Sequence, residues 1–383
     1  MKLIFHSGNN LTLLRNGEEY FPALEHALHQ AQHEIYFETY IFESDTTGER
    51  IAVALEQAVK RGVIVHLLID GFGSNGLPKP FKNRLKRNGV ELLIYRPSIS
   101  PWAFNISQLR RLHRKLVVVD RRTAFIGGIN IIDDVDANHH SSSRFDYAVR
   151  VQGPLVSSIY RSMRRLWRRV AWTQFAGYPK PKGYPLTLGQ THGKQQAAFV
   201  TRDNIRHRHD IEKAYLDAIE AAKKEIIIAN AYFFPGIRFR RALTNATHRG
   251  VNVILLLQGR VEYWLFHHAS RAFYGPLLDA GVQIYEYNKG FLHAKVAVID
   301  RRWATIGSSN IDPYSFLLAR EANVIVDNHI FAGTLHTSLM EAIDSSAVPV
   351  PSQEWFKQPL YRRILIWFNY SLMRIFTGIV GYR

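Results

Sequence analysis

The chain has no cysteine among its 383 residues, which excludes disulfides and thiolate metal sites and removes any need for an oxidising compartment. Its first residues, MKLIFHSGNN, hold no apolar run of signal-peptide length, so secretion is not expected. Acidic side chains are scarce: 32 Asp and Glu against 49 Lys and Arg leave a formal charge of +17 and a pI near 10.0. That imbalance favours nucleic acid or an anionic membrane surface and does not choose between them. A long hydrophobic run is missing too. The nearest approach, Ile364 to Val380, sits at the lower limit of spanning length and is interrupted by Asn369 and Arg374. Common metal-ligand spacings are also lacking. The stretch IDDVDANHH fits none and reads as a solvated loop, so no metal is expected.

What is present is a repeat. HRKLVVVDRRTAFIGGIN at 113–130 recurs as HAKVAVIDRRWATIGSSN at 293–310. His113, Lys115, Asp120, Gly127, Gly128 and Asn130 align with His293, Lys295, Asp300, Gly307, Ser308 and Asn310 at identical spacing. The likeness extends upstream: EIYFETYIF at 34–42 parallels EIIIANAYFF at 225–234, and VKRGVIVHLLIDG at 59–71 parallels THRGVNVILLLQG at 247–259. A whole domain is doubled.

In each copy the apolar run between Lys and Asp predicts a short buried strand, with period-two geometry putting His and Lys on one face. An ammonium offers no lone pair and repels a dication, so the pair suits an anion with reactive phosphorus rather than a metal. Two such pairs brought together supply two imidazoles on opposite sides of a phosphodiester, one to attack and one to protonate the leaving oxygen. Lys115 and Lys295, with Asn130, Ser308 and Asn310 as phosphate-binding donors, would neutralise the developing charge without metal. The attacking imidazole must be neutral and oriented, which calls for a carboxylate on its second nitrogen. Glu321 in LAREANVIV and Asp146 in SRFDYAVRV each open the strand after a motif, and we assign them to orient His293 and His113 respectively.

The pattern HxKx4Dx6G(G/S)xN, twice per chain, resembles the phospholipase D superfamily, whose two halves share one active site. The resemblance implies a covalent phosphohistidine, with His113 attacking and His293 protonating. It makes His113, Lys115, Asp120, His293, Lys295 and Asp300 the motif's catalytic set, in which the two aspartates hold the turn away from the phosphate. Gly128 departs from the usual serine. Further stretches, among them NGEEYFPAL, FETYIF, LLIDGFGS, NAYFFPG and IGSSNIDP, are similar to bacterial cardiolipin synthases, nearest to the B type. That likeness implies transfer of a phosphatidyl group between two phosphatidylglycerol molecules, with no cofactor. Tyr40 and Tyr232 hold equivalent places and either contact the head group or pack at its rim.

Alternating helices and strands predict an α/β fold, two tandem phospholipase D-like α/β/α sandwich domains related by a pseudo-twofold. We draw boundaries at 1–171 for the first domain, 172–196 for a Pro- and Gly-rich linker, 197–350 for the second domain and 351–383 for a basic aromatic tail. The tail reads as an amphipathic interfacial helix, a core-packing helix or a span. RSMRRLWRR at 161–169 reads as a helix that meets anionic lipid, a nucleic-acid backbone, or only solvent with Leu166 and Trp167 turned inward. Trp102, Phe104, Tyr263, Trp264 and Phe266 precede the motifs and either line a lipid entrance or pack inward. Expected partners are a phospholipid substrate and an anionic membrane, not nucleic acid, with peripheral attachment at the cytoplasmic face of a bacterial inner membrane. The competing readings are a hydrolytic phospholipase D, a metal-independent nuclease of the same superfamily and a catalytically inert membrane scaffold.

Overall fold

The computed structural model describes residues 3–97, 110–133, 144–174, 191–203, 207–260, 271–312 and 319–352. The first half runs β1 (His6–Arg15), α1 (Asn16–Gln30), β2 (Glu34–Thr39), α2 (Thr46–Lys60), β3 (Ile64–Asp70), α3 (Lys79–Arg87), β4 (Glu91–Tyr95), β5 (Arg111–Leu112), β6 (Lys115–Val119), β7 (Thr123–Gly127), β8 (Arg144–Phe145), β9 (Tyr147–Gln152) and α4 (Val156–Thr173). The second half follows with β10 (Gln195–Arg202), α5 (Asp210–Ala221), β11 (Glu225–Asn230), α6 (Ile237–His248), β12 (Asn252–Gln258), α7 (Tyr274–Asp279), β13 (Gln283–Tyr287), β14 (Phe291–Leu292), β15 (Lys295–Ile299), β16 (Trp303–Gly307), β17 (Ala319–Asp327), α8 (His329–Ser346) and β18 (Ala347–Pro349).

The apolar runs become central strands because both faces are covered. All six residues of β2 are buried, as are six of the seven in β3, and the two pair in parallel from Glu34↔Ile64 to Thr39↔Ile69. The α2 crossover between them starts at Asp45, whose side chain accepts from the Gly48 amide, and turns Ile51, Ala52, Leu55 and Ala58 inward. β11 and β12 repeat this parallel pairing. Each motif strand then joins antiparallel, β6 on β2 and β15 on β11, and doubles back into β7 or β16.

The halves are not separate sandwiches. One sheet runs β18, β13, β12, β11, β15, β16, β17, β10, β1, β9, β7, β6, β2, β3, β4, and the antiparallel β1–β10 pair welds the two halves at its middle. The polar sequences of β1 and β10 gave no strand signal, because period-two alternation is broken in HSGNNLTLLR and weak in QQAAFVTR. α4 and α8 share one face of this sheet and close one core over both halves, containing Met163, Leu166 and Trp167 together with Leu335 and Leu339. The opposite face carries a separate core for each half. In α4, Leu166 and Trp167 are buried and Arg165, Arg168 and Arg169 lie on its outer side.

α4 extends through Thr173 and β10 begins at Gln195, so ordered structure enters the segment assigned as linker at both ends. The tail from residue 353 onward lies outside the described residues, as do Trp102, Phe104, Tyr263, Trp264, Phe266 and most of the IDDVDANHH loop. Among the described residues no helix is long and apolar enough to cross a membrane.

Candidate active site

The turn after each motif strand is built the same way. Asp120 and Arg121 have φ of 50° and 56°, and Asp300 and Arg301 have 52° and 49°, two left-handed residues in succession as a tight hairpin with a right-handed strand twist requires. The aspartate supports this turn and ties it to the neighbouring strand. Asp120 accepts from the amides of Gln32, His33 and Glu34 at 2.8–3.0 Å, and Asp300 from those of Lys223, Lys224 and Glu225 at 2.8–2.9 Å. Both aspartates therefore sit at the end of the strand remote from the histidines, holding the turn.

At the other end, the two motifs meet across the pseudo-twofold. β5, which leads into His113, pairs with the start of β17, and the His113 amide donates to the Arg320 carbonyl at 3.0 Å. β14, which leads into His293, pairs with β8, and the His293 amide donates to the Phe145 carbonyl at 2.9 Å. The residue after each of these contacts is the carboxylate. Nδ1 of His113 therefore meets Oε1 of Glu321 at 2.9 Å, and Nδ1 of His293 meets Oδ2 of Asp146 at 2.6 Å.

This corrects the sequence assignment: Glu321 orients His113 and Asp146 orients His293, each across the interface between halves. The reason is the strand exchange, since the strand carrying a carboxylate overruns its own motif and pairs with the strand entering the other. The tautomer that donates Nδ1–H to the carboxylate leaves Nε2 of each ring as the unprotonated nitrogen.

The lysines lie on the same strands two residues on. Nζ of Lys115 donates to the His113 carbonyl at 2.8 Å, and Nζ of Lys295 donates to the His293 carbonyl. The Lys115 ammonium has three donors, of which the His113 carbonyl takes one. Lys115 and Lys295 are 4% and 0% exposed, and both reach each histidine electrostatically, so two ammonium groups and two imidazoles share one desolvated site. Burial pushes Lys115 down to about 7, opposed by Glu321 and reinforced by Lys295. Burial likewise lowers His113, against the pull of Glu321, and drives His293 well below its ordinary value with both lysines adding to the effect. Asp146 is pushed up to about 6 by burial. An anion entering this site would raise both lysines and both histidines, which couples their protonation to binding.

The remaining candidates divide. Oδ1 of Asn130 accepts from the Ile41 amide at 3.2 Å, which turns its amide nitrogen to other partners, and Asn310 is buried at 5% exposure. Ser308, expected as a phosphate donor, instead gives its hydroxyl proton to Oε2 of Glu321 and accepts from the Ala322 amide at 3.1 Å. It stands behind the carboxylate because β17 passes directly against β16 there, with the Ser308 amide on the Ala322 carbonyl. Gly128 has a matching explanation: a Cβ at this position would lie 2.4 Å from both Asp146 carboxylate oxygens. The shorter Asp146 fills the room that a serine side chain takes in the other half.

Tyr40 packs edge-on to His113, ring centroids 4.8 Å apart, with Nζ of Lys115 5.3 Å from its ring centre. Two supports escaped sequence reasoning. Oδ2 of Asp70 accepts from the Leu112 amide at 2.8 Å, and Oε1 of Gln258 from the Leu292 amide at 3.1 Å, fixing the residue before each histidine. Their signal was available, since Asp70 and Gln258 end the aligned runs VIVHLLID and VNVILLLQ.

A model of the family described as cardiolipin synthase, PLD-like domain, matches residues 24–167 and 215–343, one match for each half. The chain belongs to this family. Its cardiolipin synthase-like character extends over the full length: it is 38% identical over 397 aligned positions to cardiolipin synthase B of Escherichia coli (strain K12), covering 100% of this chain and 92% of that protein. Cardiolipin synthase of Halalkalibacterium halodurans is 34% identical over 320 positions, 83% of this chain and 62% of that one. The fold is shared with the crystal structure of phosphatidylserine synthase from Haemophilus influenzae Rd KW20, with TM-score 0.68 at 13% identity, covering 99% of this chain and 96% of the other.

Proposed function

We propose that the chain is a phosphatidyltransferase that makes cardiolipin from two molecules of phosphatidylglycerol and releases glycerol. The observation that carries this reading is the pair of crossed His–carboxylate dyads, both complete, in a chain that resembles cardiolipin synthase B from end to end. Nε2 of His113 attacks the phosphorus of the first lipid, and the bond to the glycerol oxygen breaks as His293 delivers a proton to it. The product is a phosphatidyl group on His113, whose ring now carries a positive charge that Glu321 balances. His293, left neutral, takes the proton from a head-group hydroxyl of the second lipid; that oxygen attacks phosphorus and His113 leaves.

Lys115 and Lys295, with the side-chain nitrogens of Asn130 and Asn310, hold the non-bridging oxygens and neutralise the charge that develops on them. Tyr40 is placed to contact the head group beside His113. An acceptor alcohol outcompetes water when it is presented by a lipid surface at high effective concentration. The charge of +17 and the basic aromatic tail support attachment at the cytoplasmic face of an inner membrane.

Trapping tests the chemistry. With labelled phosphatidylglycerol, quenched wild-type protein retains an acid-labile phosphatidyl adduct, His113→Ala retains none, and His113→Ala and His293→Ala each abolish turnover. Substantial turnover by either variant defeats the shared-site mechanism.

A further inference from the structure

The two half-sites match in His and Lys but differ in what stands behind the carboxylate. Asp146 is held by backbone groups and Asn16: its amide donates to Oδ1 of Asn16 at 3.1 Å, its carbonyl accepts from the Asn16 amide at 2.8 Å, and its Oδ1 accepts from the Tyr147 amide, while Lys295, Lys115 and Arg144 act on its carboxylate electrostatically. Glu321 is held by the Ser308 hydroxyl and faces a buried cation. Arg202 of β10 lies directly opposite Glu321 in the antiparallel β10–β17 register, so the two side chains project from the same face. Arg202 is 1% exposed and Glu321 is 0% exposed. Its Nη1 donates to the Ala319 carbonyl at 2.7 Å and its Nε to the Arg208 carbonyl at 3.1 Å, which anchors the end of β17 that crosses to His113.

We infer that Arg202 is a positioning residue for His113: it sets a buried cation opposite Glu321 and pins the crossing end of β17. This rests on His113 being the ring that carries a positive charge in the covalent intermediate. A buried cation facing Glu321 from the paired strand suits that ring, whereas Asp146 meets its cations, Lys295, Lys115 and Arg144, from the motif strands and β8. Other charges bear on the dyad from several elements. Lys115 and Lys295 face it from the motif strands, with Asp70 and Asp146 beside Lys115. Asp203, Arg208 and Asp312 act on Arg202 itself, after Glu321.

The test compares Arg202→Gln, which removes the charge, with Arg202→Lys, which keeps it while losing the double anchor. Removing one buried unit charge that faces the dyad moves a nearby midpoint by about one pH unit. Removing the cation makes the His113 ring easier to protonate, so the acid limb of turnover on phosphatidylglycerol vesicles moves up by about one unit in Arg202→Gln while the basic limb stays. Arg202→Lys keeps the wild-type acid limb. NMR titration of histidine-labelled full-length protein, with the His113 resonance identified by its loss in His113→Ala, reads the same shift without lipid. It stands even if the acceptor or donor lipid is misassigned. Loss of turnover at every pH in both variants, with unmoved limbs and an unmoved His113 midpoint, overturns the proposal. If Arg202→Gln does not fold, Arg202→Lys decides alone: a wild-type acid limb and midpoint support the charge role, and loss at every pH refutes it.

Discussion

Replacing Lys115 with methionine should abolish turnover and at the same time stabilise the fold. In the folded chain this ammonium is buried beside Lys295, which brings its pKa from 10.5 down to about 7. The folded state therefore disfavours the charged form. Above the unfolded value of 10.5 both states hold a neutral amine and there is no penalty; as pH falls the penalty grows, and it is complete below about 7. A difference of three to four units corresponds to about 5 kcal/mol at pH 6. Methionine fills similar volume but loses the hydrogen bond to the His113 carbonyl, which offsets about 1 kcal/mol. The net gain is about 3–4 kcal/mol at pH 6, falling towards zero or slightly negative by pH 10.5. Thermal unfolding at pH 6, 8 and 10.5 measures it: the midpoint should rise in the variant at pH 6 and the gain should shrink with increasing pH. A variant less stable than wild type at pH 6, or a pH-independent difference, would refute the view that this site stores charge repulsion for an anion to relieve.

Three other outcomes follow from the same geometry. Asp146→Asn removes a carboxyl held at about 6, whose ionised form the fold disfavours, so it should add up to about 3 kcal/mol above pH 6 and nothing below pH 4, with kcat reduced on the order of a hundredfold or more. Glu321→Gln should cost comparable activity and suppress the trapped adduct on His113, because its partner is His113; an effect confined to the protonation of the leaving group would restore the uncrossed assignment. Asp120→Ala removes the acceptor of three backbone amides and places alanine at a left-handed position, and should destabilise by about 2–3 kcal/mol in chemical denaturation while the folded fraction keeps its kcat.

The placement of the motif residues was largely legible because the doubled sequence repeats at fixed spacing: His113, Lys115 and Asp120 lie on one strand and its turn, where local period and turn geometry govern. The partner of each histidine was not legible. Glu321 and Asp146 follow the ends of their own motifs by 11 and 16 residues, and the two-residue pairings β5–β17 and β8–β14 send them across. Ser308 was misplaced for the same reason, since its role depends on where β17 runs. The weld between halves was also hidden. β1 and β10 are joined by a β-bulge between His6 and Asn9, and their polar faces carry no strand signature. Sequence patterns thus disclosed what is fixed within an element and missed what depends on elements meeting.

The most direct test of the account is to incubate purified protein with vesicles of labelled phosphatidylglycerol in excess EDTA and to separate the lipid products. Because two buried ammonium groups neutralise the phosphate, we predict cardiolipin and free glycerol in equal amounts, undiminished by the chelator, from wild type and not from His113→Ala. Phosphatidic acid as the sole product would make water the acceptor and contradict the transferase, and loss of turnover in EDTA would contradict catalysis by histidine and lysine alone.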